Sequence, residues 1–211
     1  MNHDDWHKLW EAGDTGWHSE EPNSYLVEYI EALGLNQGDR VFIPLCGKTV
    51  DIPWLVSQGF HVVGIELSEI AIQQVFDSLS LTPVVTTLGA LKKYSADQID
   101  LFVGDFFALD ANTLGPVQAV FDRGALVALP APLRIQYAIR LQAITEHAKI
   151  LLVCFEYDQS LLEGPPFAIT PDEIKQHYGQ SYEIEQLVSI DAKSLLGVDF
   201  PLNETIWMLI P

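Results

Sequence analysis

Arg40-Val41-Phe42-Ile43-Pro44-Leu45, running into Cys46-Gly47-Lys48-Thr49, and His61-Val62-Val63-Gly64-Ile65-Glu66-Leu67 are the two stretches that decide the fold. Each is a short apolar run of the kind that forms a buried strand. Between them Ile52, Trp54, Leu55 and Val56 make a helix-like segment that closes at Gly59. After the second run Ser68 caps a further helix, whose periodicity is set by Ile70, Ala71, Gln74 and Val75. Strand, helix, strand, helix at this spacing is the signature of parallel βαβ units.

The same alternation continues downstream. Ile99 to Val103 runs into Gly104-Asp105-Phe106-Phe107, and Ala119 to Phe121 runs into Asp122-Arg123-Gly124. A helix is predicted from Ala131 to His147, a strand from Ile150 to Phe155, and a capped helix from Thr170 to Tyr178. Tyr182 to Ile190 and Glu204 to Ile210 supply the last two strands, closing like a hairpin. Val84 to Tyr94 fits neither period and has room for a small extra β element. Upstream, Ser24 is placed to cap a helix reaching Leu33, and Asp4 to Ala12 reads as a short helix ended by Gly13. The expectation is an α/β protein: a doubly wound, seven-stranded, mostly parallel sheet in one domain over residues 1–211, with residues 1–35 as an N-terminal helical arm.

Charge narrows the partners. The 211 residues hold 11 Lys and Arg against 29 Asp and Glu, a net charge of −18, so phosphate backbones and anionic membrane surfaces are repelled. A small-molecule substrate is expected, with no nucleic acid and no membrane as partner, and the chain is expected to work as a monomer. Cys46 and Cys154 are too few for a disulfide framework. Met1-Asn2-His3-Asp4-Asp5 has neither the basic head nor the apolar run of a secretion signal, so a cytoplasmic protein is expected.

In an open parallel sheet the ligand sits beyond the carboxyl ends of the strands, where the strand order reverses. Those ends carry Leu45-Cys46-Gly47-Lys48, Glu66, Asp105-Phe106 and Asp122-Arg123. An acid ending the second strand, about 20 residues after the first loop, is where a ribose hydroxyl pair is gripped in nucleoside sites. A carboxylate suits that task because it accepts two hydrogen bonds at once; its other reading is a charge at a helix entry. The glycine fingerprint G-x-G-x-x-G of nicotinamide and flavin sites is absent. A phosphate loop ending in Gly47-Lys48-Thr49 would need glycine at position 42, where Phe42 stands in a strand. Cys46 reads as a small buried side chain rather than a nucleophile. His3 and His7 stand four apart but have no third metal ligand, so no metal is expected. Trp6, Trp10 and Trp17 crowd the arm, either as packing against the sheet or as a flap that shields a ligand from water.

Phe42-Ile43-Pro44-Leu45-Cys46-Gly47-Lys48 with Asp51 and Trp54, and Val63-Gly64-Ile65-Glu66-Leu67-Ser68-Glu69, together resemble the thiopurine S-methyltransferase family. The resemblance runs over nearly the whole chain, through Trp6 to His18, Gly104 to Phe107, Asp122 to Pro130, Glu156-Tyr157-Asp158 and Gly164 to Phe167. It implies a Rossmann-like class I methyltransferase using S-adenosyl-L-methionine. Carried over position by position, it implies cofactor contacts from Trp10, Leu45, Glu66, Asp105, Phe106 and Arg123. Trp17 matches an aromatic position near the acceptor, often Phe in the family, and Asp14 and Arg123 are candidate acceptor contacts. The stretch Asp191 to Asn203 is shorter and less basic than the family pattern. The implied reaction is S-methylation of a small aromatic or heterocyclic thiol, with soft selenium or tellurium species also admitted. The alternative is another small acceptor presenting oxygen, nitrogen or halide.

Overall fold

Side chains alternate between the two faces of a strand, and at residues 41–43 that alternation sends Phe42 one way and Val41 and Ile43 the other. Both directions lead into apolar layers, which is why the run reads as continuously hydrophobic. In the computed structural model, which describes residues 3–211, nine strands form one sheet. The N-terminal reading that began at Met1 and Asn2 falls, for those two residues, outside the described ones. The strands are β1 (Arg40–Pro44), β2 (His61–Glu66), β3 (Val84–Leu88), β4 (Leu91–Ala96), β5 (Ile99–Val103), β6 (Ala119–Arg123), β7 (Lys149–Tyr157), β8 (Glu183–Asp191) and β9 (Leu202–Ile210). The helices are α1 (His3–Ala12), α2 (Ser24–Tyr29), α3 (Asp51–Ser57), α4 (Glu69–Ser78), α5 (Ala111–Leu114), α6 (Ala131–Ile144), α7 (Pro171–Tyr178) and α8 (Lys193–Leu196).

The strand order is β3-β4-β5-β2-β1-β6-β7-β9-β8. Strands β5, β2, β1, β6 and β7 are parallel neighbours, and the doubly wound architecture is as expected. The count of seven is corrected to nine. The two additions are the antiparallel hairpin β3–β4, which extends the sheet past β5 from the stretch that fitted neither period. Every residue of β3 is exposed, so no buried face imposed an alternation on its sequence. At the other end β9 runs antiparallel between β7 and β8, and a bulge lies between Gln186 and Val188.

Element boundaries also differ from the sequence reading: α2 stops at Tyr29 rather than Leu33, and β6 and β7 run on to Arg123 and Tyr157. Asn23, not Ser24, caps α2: its side-chain oxygen accepts the Tyr25 and Leu26 amides at 3.0 and 3.2 Å. Helix α6 ends at Ile144, short of His147, where the backbone of Glu146 and His147 turns left-handed.

One apolar layer packs Phe42, Val63, Phe102, Val120 and Leu152 against Tyr137 and Leu141 of α6 and Ile174 and Tyr178 of α7. The other packs Ile43, Leu101, Phe121, Val153 and Met208 beneath Leu26 of α2, Ile52 of α3 and Phe76 of α4. From β1 the chain moves to β2 and β5 on one side, then crosses to β6 and β7 on the other. The strand order therefore reverses between β1 and β6, and a crevice opens beyond their carboxyl ends. Among the described residues no helix is long and apolar enough to cross a membrane.

Candidate active site

The crevice at the switch point is a cleft of about 1140 Å³. Its first wall begins where β1 ends. The Cys46 amide donates to the Ile65 carbonyl at 2.9 Å and prolongs the β1–β2 ladder by one step. Leu45 (φ +47°) and Gly47 (φ +53°) then both take left-handed backbone conformations. For Leu45 that is a strained choice, of the kind that collects at ligand sites.

The turn aims the Gly47 amide at Glu66, whose Oε2 accepts it at 2.9 Å, while Oε1 accepts the Ser68 amide at 2.9 Å. Ser68 thus begins α4 with no cap bond from its own hydroxyl. Glu66 is only 7% exposed and lines the cleft. Burial pushes its carboxyl above the usual range, and the amides of Ser68, Gly47 and Leu67 oppose that rise. This is a carboxylate held rigid by donors, in a chamber where an unmatched charge is costly.

The residues after β5 form the next part of the wall. Asp105 Oδ1 accepts the Phe107 amide at 2.9 Å, opening a short 3-10 turn. Within it Phe106 is buried, its ring 4.8 Å from that of Tyr137. After β6, Arg123 faces the cleft while its neighbour Asp122 points to the other layer, as strand pleating requires. Asp122 is wholly buried, with Tyr137 Oη donating to Oδ2 at 2.6 Å and the Leu126 amide to Oδ1 at 3.1 Å.

The arm forms the roof. Trp10 is 4% exposed, and its indole lies so near Gly47 that a Cβ there would come within 3.3 Å of it. Trp17 packs edge-on to Trp6 and Trp10 at 5.4 and 5.8 Å, yet it remains 38% exposed and lines the cleft. Arg123 Nη1 donates to the Trp17 carbonyl at 3.0 Å. The arm is thus packed on the sheet, as one sequence reading of its tryptophans expects, and Trp6, Trp10 and Trp17 line the cleft.

Trp10, Trp17, Leu45, Glu66, Asp105, Phe106 and Arg123 accordingly meet around one space. Asp14 does not join them: it is exposed, outside the cleft lining, and its amide donates to Leu9 in the turn that ends α1. Lys48, from the first loop, also lines the cleft, as do Tyr25 and Glu204, neither of which the sequence reading placed at a site. Tyr25 is set by Asp51, whose Oδ1 accepts the Asn23 amide at 2.7 Å and whose Oδ2 accepts Thr49 Oγ1 at 2.6 Å. That buried carboxylate ties the start of α2 to the first loop. Glu204 and Tyr25 are hydrogen-bonded, and burial followed by the Glu204 charge pushes Tyr25 up to about 12. His18 titrates below its usual value, first through burial and then through the positive charge of Lys48. Arg123 adds to that effect, against the pull of Glu20.

Comparison with known proteins places this geometry. Among solved structures, magnesium protoporphyrin IX methyltransferase from Synechocystis with bound S-adenosylhomocysteine superposes with a TM-score of 0.66 at 14% identity, covering 100% of both chains. The 1,6-didemethyltoxoflavin-N1-methyltransferase of Burkholderia thailandensis, also with S-adenosylhomocysteine, gives 0.66 at 14% identity over 99% of this chain and 87% of that one. The fold is that of Rossmann-like class I methyltransferases. A model of the thiopurine S-methyltransferase family matches residues 1–199. The thiopurine S-methyltransferase of Xanthobacter autotrophicus is 46% identical over 210 residues, 99% of each chain. That of Gluconobacter oxydans is 42% identical over 206 residues, 98% of this chain and 94% of its own. The protein is an S-adenosylmethionine-dependent methyltransferase. It belongs to the thiopurine S-methyltransferase family.

Proposed function

We propose that the chain S-methylates small aromatic or heterocyclic thiols, including thiopurines, with soft selenium or tellurium species as further acceptors. The observation that carries this reading is one cleft with a buried carboxylate, Glu66, at the end of β2 and two cations, Arg123 and Lys48, on its lining. The lining also carries Asp4, Glu21, Asp51, Asp105 and Glu204, and against these Arg123 and Lys48 are the side chains that support negative charge on an acceptor's sulfur. Trp17, Phe155 and Leu196 give the same space the apolar lining that a flat ring requires. A carboxylate with two amides already on it still has lone pairs for a vicinal diol, so the residues present fit the ribose of S-adenosylmethionine.

On this reading Glu66 holds the ribose hydroxyls, the Leu45 backbone lies along the methionine part, Asp105 and Phe106 frame the adenine, and Trp10 and Arg123 close over them. Trp17 stacks on the acceptor. S-adenosylmethionine supplies an electrophilic methyl on a sulfonium that is already a good leaving group. The chain's own work is to orient the acceptor, to hold the arm shut against water and to stabilise the acceptor's negative charge. The molecule is read as a cytoplasmic monomer of one domain, with residues 1–35 as lid.

Incubating the pure protein with methyl-labelled cofactor and 6-mercaptopurine should give labelled S-methyl product, and Glu66→Ala should weaken cofactor binding in calorimetry by about 1–3 kcal/mol. Labelling only an oxygen, nitrogen or halide acceptor would replace this reading with the alternative one. Unchanged cofactor affinity in the variant would remove Glu66 from its role.

A further inference from the structure

We propose that Glu204 is a catalytic base for heterocyclic acceptors, removing the ring N–H proton of a thione as its sulfur is methylated. The proposal rests on reading the acceptor as a heterocyclic thiol.

Glu204 lies on β9 in register with Phe155 of β7, at the end of the sheet where the cleft opens. It shares strand parity with Ile206 and Met208, so its side chain points to the face covered by α2, where Tyr25 meets it. It is 9% exposed, and the methyl-transfer reading leaves it without a task. Its side-chain hydrogen-bond partner is Tyr25, one donor for a group that accepts about four bonds. The order β2-β1-β6-β7-β9 puts four strand spacings, about 19 Å, between the strands bearing Glu66 and Glu204. One carboxylate therefore serves the nucleoside half of the cleft and the other the acceptor half.

The acceptor chemistry supplies the need. A heterocycle with an N–C–S unit carries its proton on nitrogen as the neutral thione. When its sulfur lone pair forms the new S–C bond, the sulfonium C–S bond of the donor breaks and its electron pair returns to that sulfur. The thione then becomes an N-protonated S-methyl cation unless the ring proton leaves. That cation is a far stronger acid than a carboxylic acid, so a carboxylate within reach takes its ring proton. Transfer of the N–H proton to a Glu204 oxygen leaves a neutral S-methyl heterocycle and a neutral carboxyl group, and water later takes the proton. An arenethiolate carries no such proton and has no use for this base.

Burial pushes Glu204 up, while the Tyr25 hydroxyl and the Arg123 charge pull it down. Those are the titratable groups facing it from α2 and β6; opposite it on β7 and β8 stand Phe155 and Ile190, which do not titrate.

The test compares 6-mercaptopurine with thiophenol in the wild type, Glu204→Gln and Tyr25→Phe. Glu204→Gln should lose about 100-fold in kcat with mercaptopurine and no more than a few-fold with thiophenol. Equal losses with both acceptors would overturn the proposal. A second readout is the pH profile of kcat with mercaptopurine: its acid limb should be present in the wild type and absent in Glu204→Gln, and a limb that persists in the variant would overturn the proposal. S-adenosylhomocysteine affinity within twofold of wild type shows that the variant is folded. Should it not fold, Tyr25→Phe decides: loss of that hydroxyl should move the acid limb of the mercaptopurine pH profile to higher pH, and an unmoved limb would overturn the assignment. A wild type active on thiophenol alone would sink the base and leave the S-methylation reading standing. One active on neither would sink both.

Discussion

Arg123 at the end of β6 and Trp17 in the arm are joined by a single hydrogen bond, Nη1 to the main-chain carbonyl at 3.0 Å across 106 residues of sequence. A side chain that faces the cleft thereby also fixes the position of its roof. Trp10, buried over the first loop and in contact with Trp17, is a further anchor of the arm.

Arg123→Ala should loosen the arm without melting the sheet. A hydrogen bond of this kind contributes about 1 kcal/mol net. Amide exchange in α1 and the turn after it should then be roughly fivefold faster, with protection in β1, β2 and β6 unchanged. Unaltered exchange in the arm would show that this hydrogen bond does not hold it.

Gly47→Ala should disturb the same roof from below. The position has φ +53° and its new methyl would lie 3.3 Å from the Trp10 ring. Gly13→Ala is the matched control, since it too has a positive φ, +71°, but meets nothing within 4 Å. Both should cost about 1 kcal/mol of stability in urea unfolding from backbone strain, while only Gly47→Ala should shift tryptophan fluorescence and weaken cofactor binding. A shift of equal size in both would remove the close approach of Trp10 as its cause.

Asp122 gives a pH signature. Burial raises its carboxyl to about 6, against the hydrogen bonds from Tyr137 and Leu126. The folded state therefore holds a proton that the unfolded chain, at about 3.9, has already lost. Stability from this group is fully present below about pH 4 and is lost as pH rises through about 6. Asp122→Asn removes the titration, and the Tyr137 hydroxyl can turn to accept from the new amide. The fall in unfolding free energy between about pH 5 and pH 7.5 should then shrink by about 1 kcal/mol relative to wild type. An unchanged slope in denaturant titrations would contradict the assignment.

The sequence was legible where burial left a period. The strands β1 and β2 and their helices announce themselves because both faces of the sheet are covered. By the same logic β3 was silent, since solvent on every side chain imposes no pattern. The acid at the end of β2 was found from topology alone, because the position of Glu66 follows from where a parallel strand stops. Asp14 lies off the cleft for the opposite reason: the turn after α1 faces it outward, a direction that no hydrophobic period encodes. Glu204 carried a signal that went unused, the parity that makes it a charged member of the series Glu204, Ile206, Met208. Tyr25 carried none, because its place depends on the Asn23–Asp51 hydrogen bond between distant loops.

The placement of β9 between β7 and β8 has a bearing on biosynthesis. Until residues 202–210 emerge from the ribosome, β8 has no neighbour and β7 presents a bare edge, so the half of the sheet that carries Glu204 is assembled after everything else. A nascent chain stalled at β8 would already possess the nucleoside-facing half, with Glu66 in place, while the opposite half remained an open seam. Shortening the carboxyl end by ten residues would remove an interior plank of the sheet rather than trim its margin.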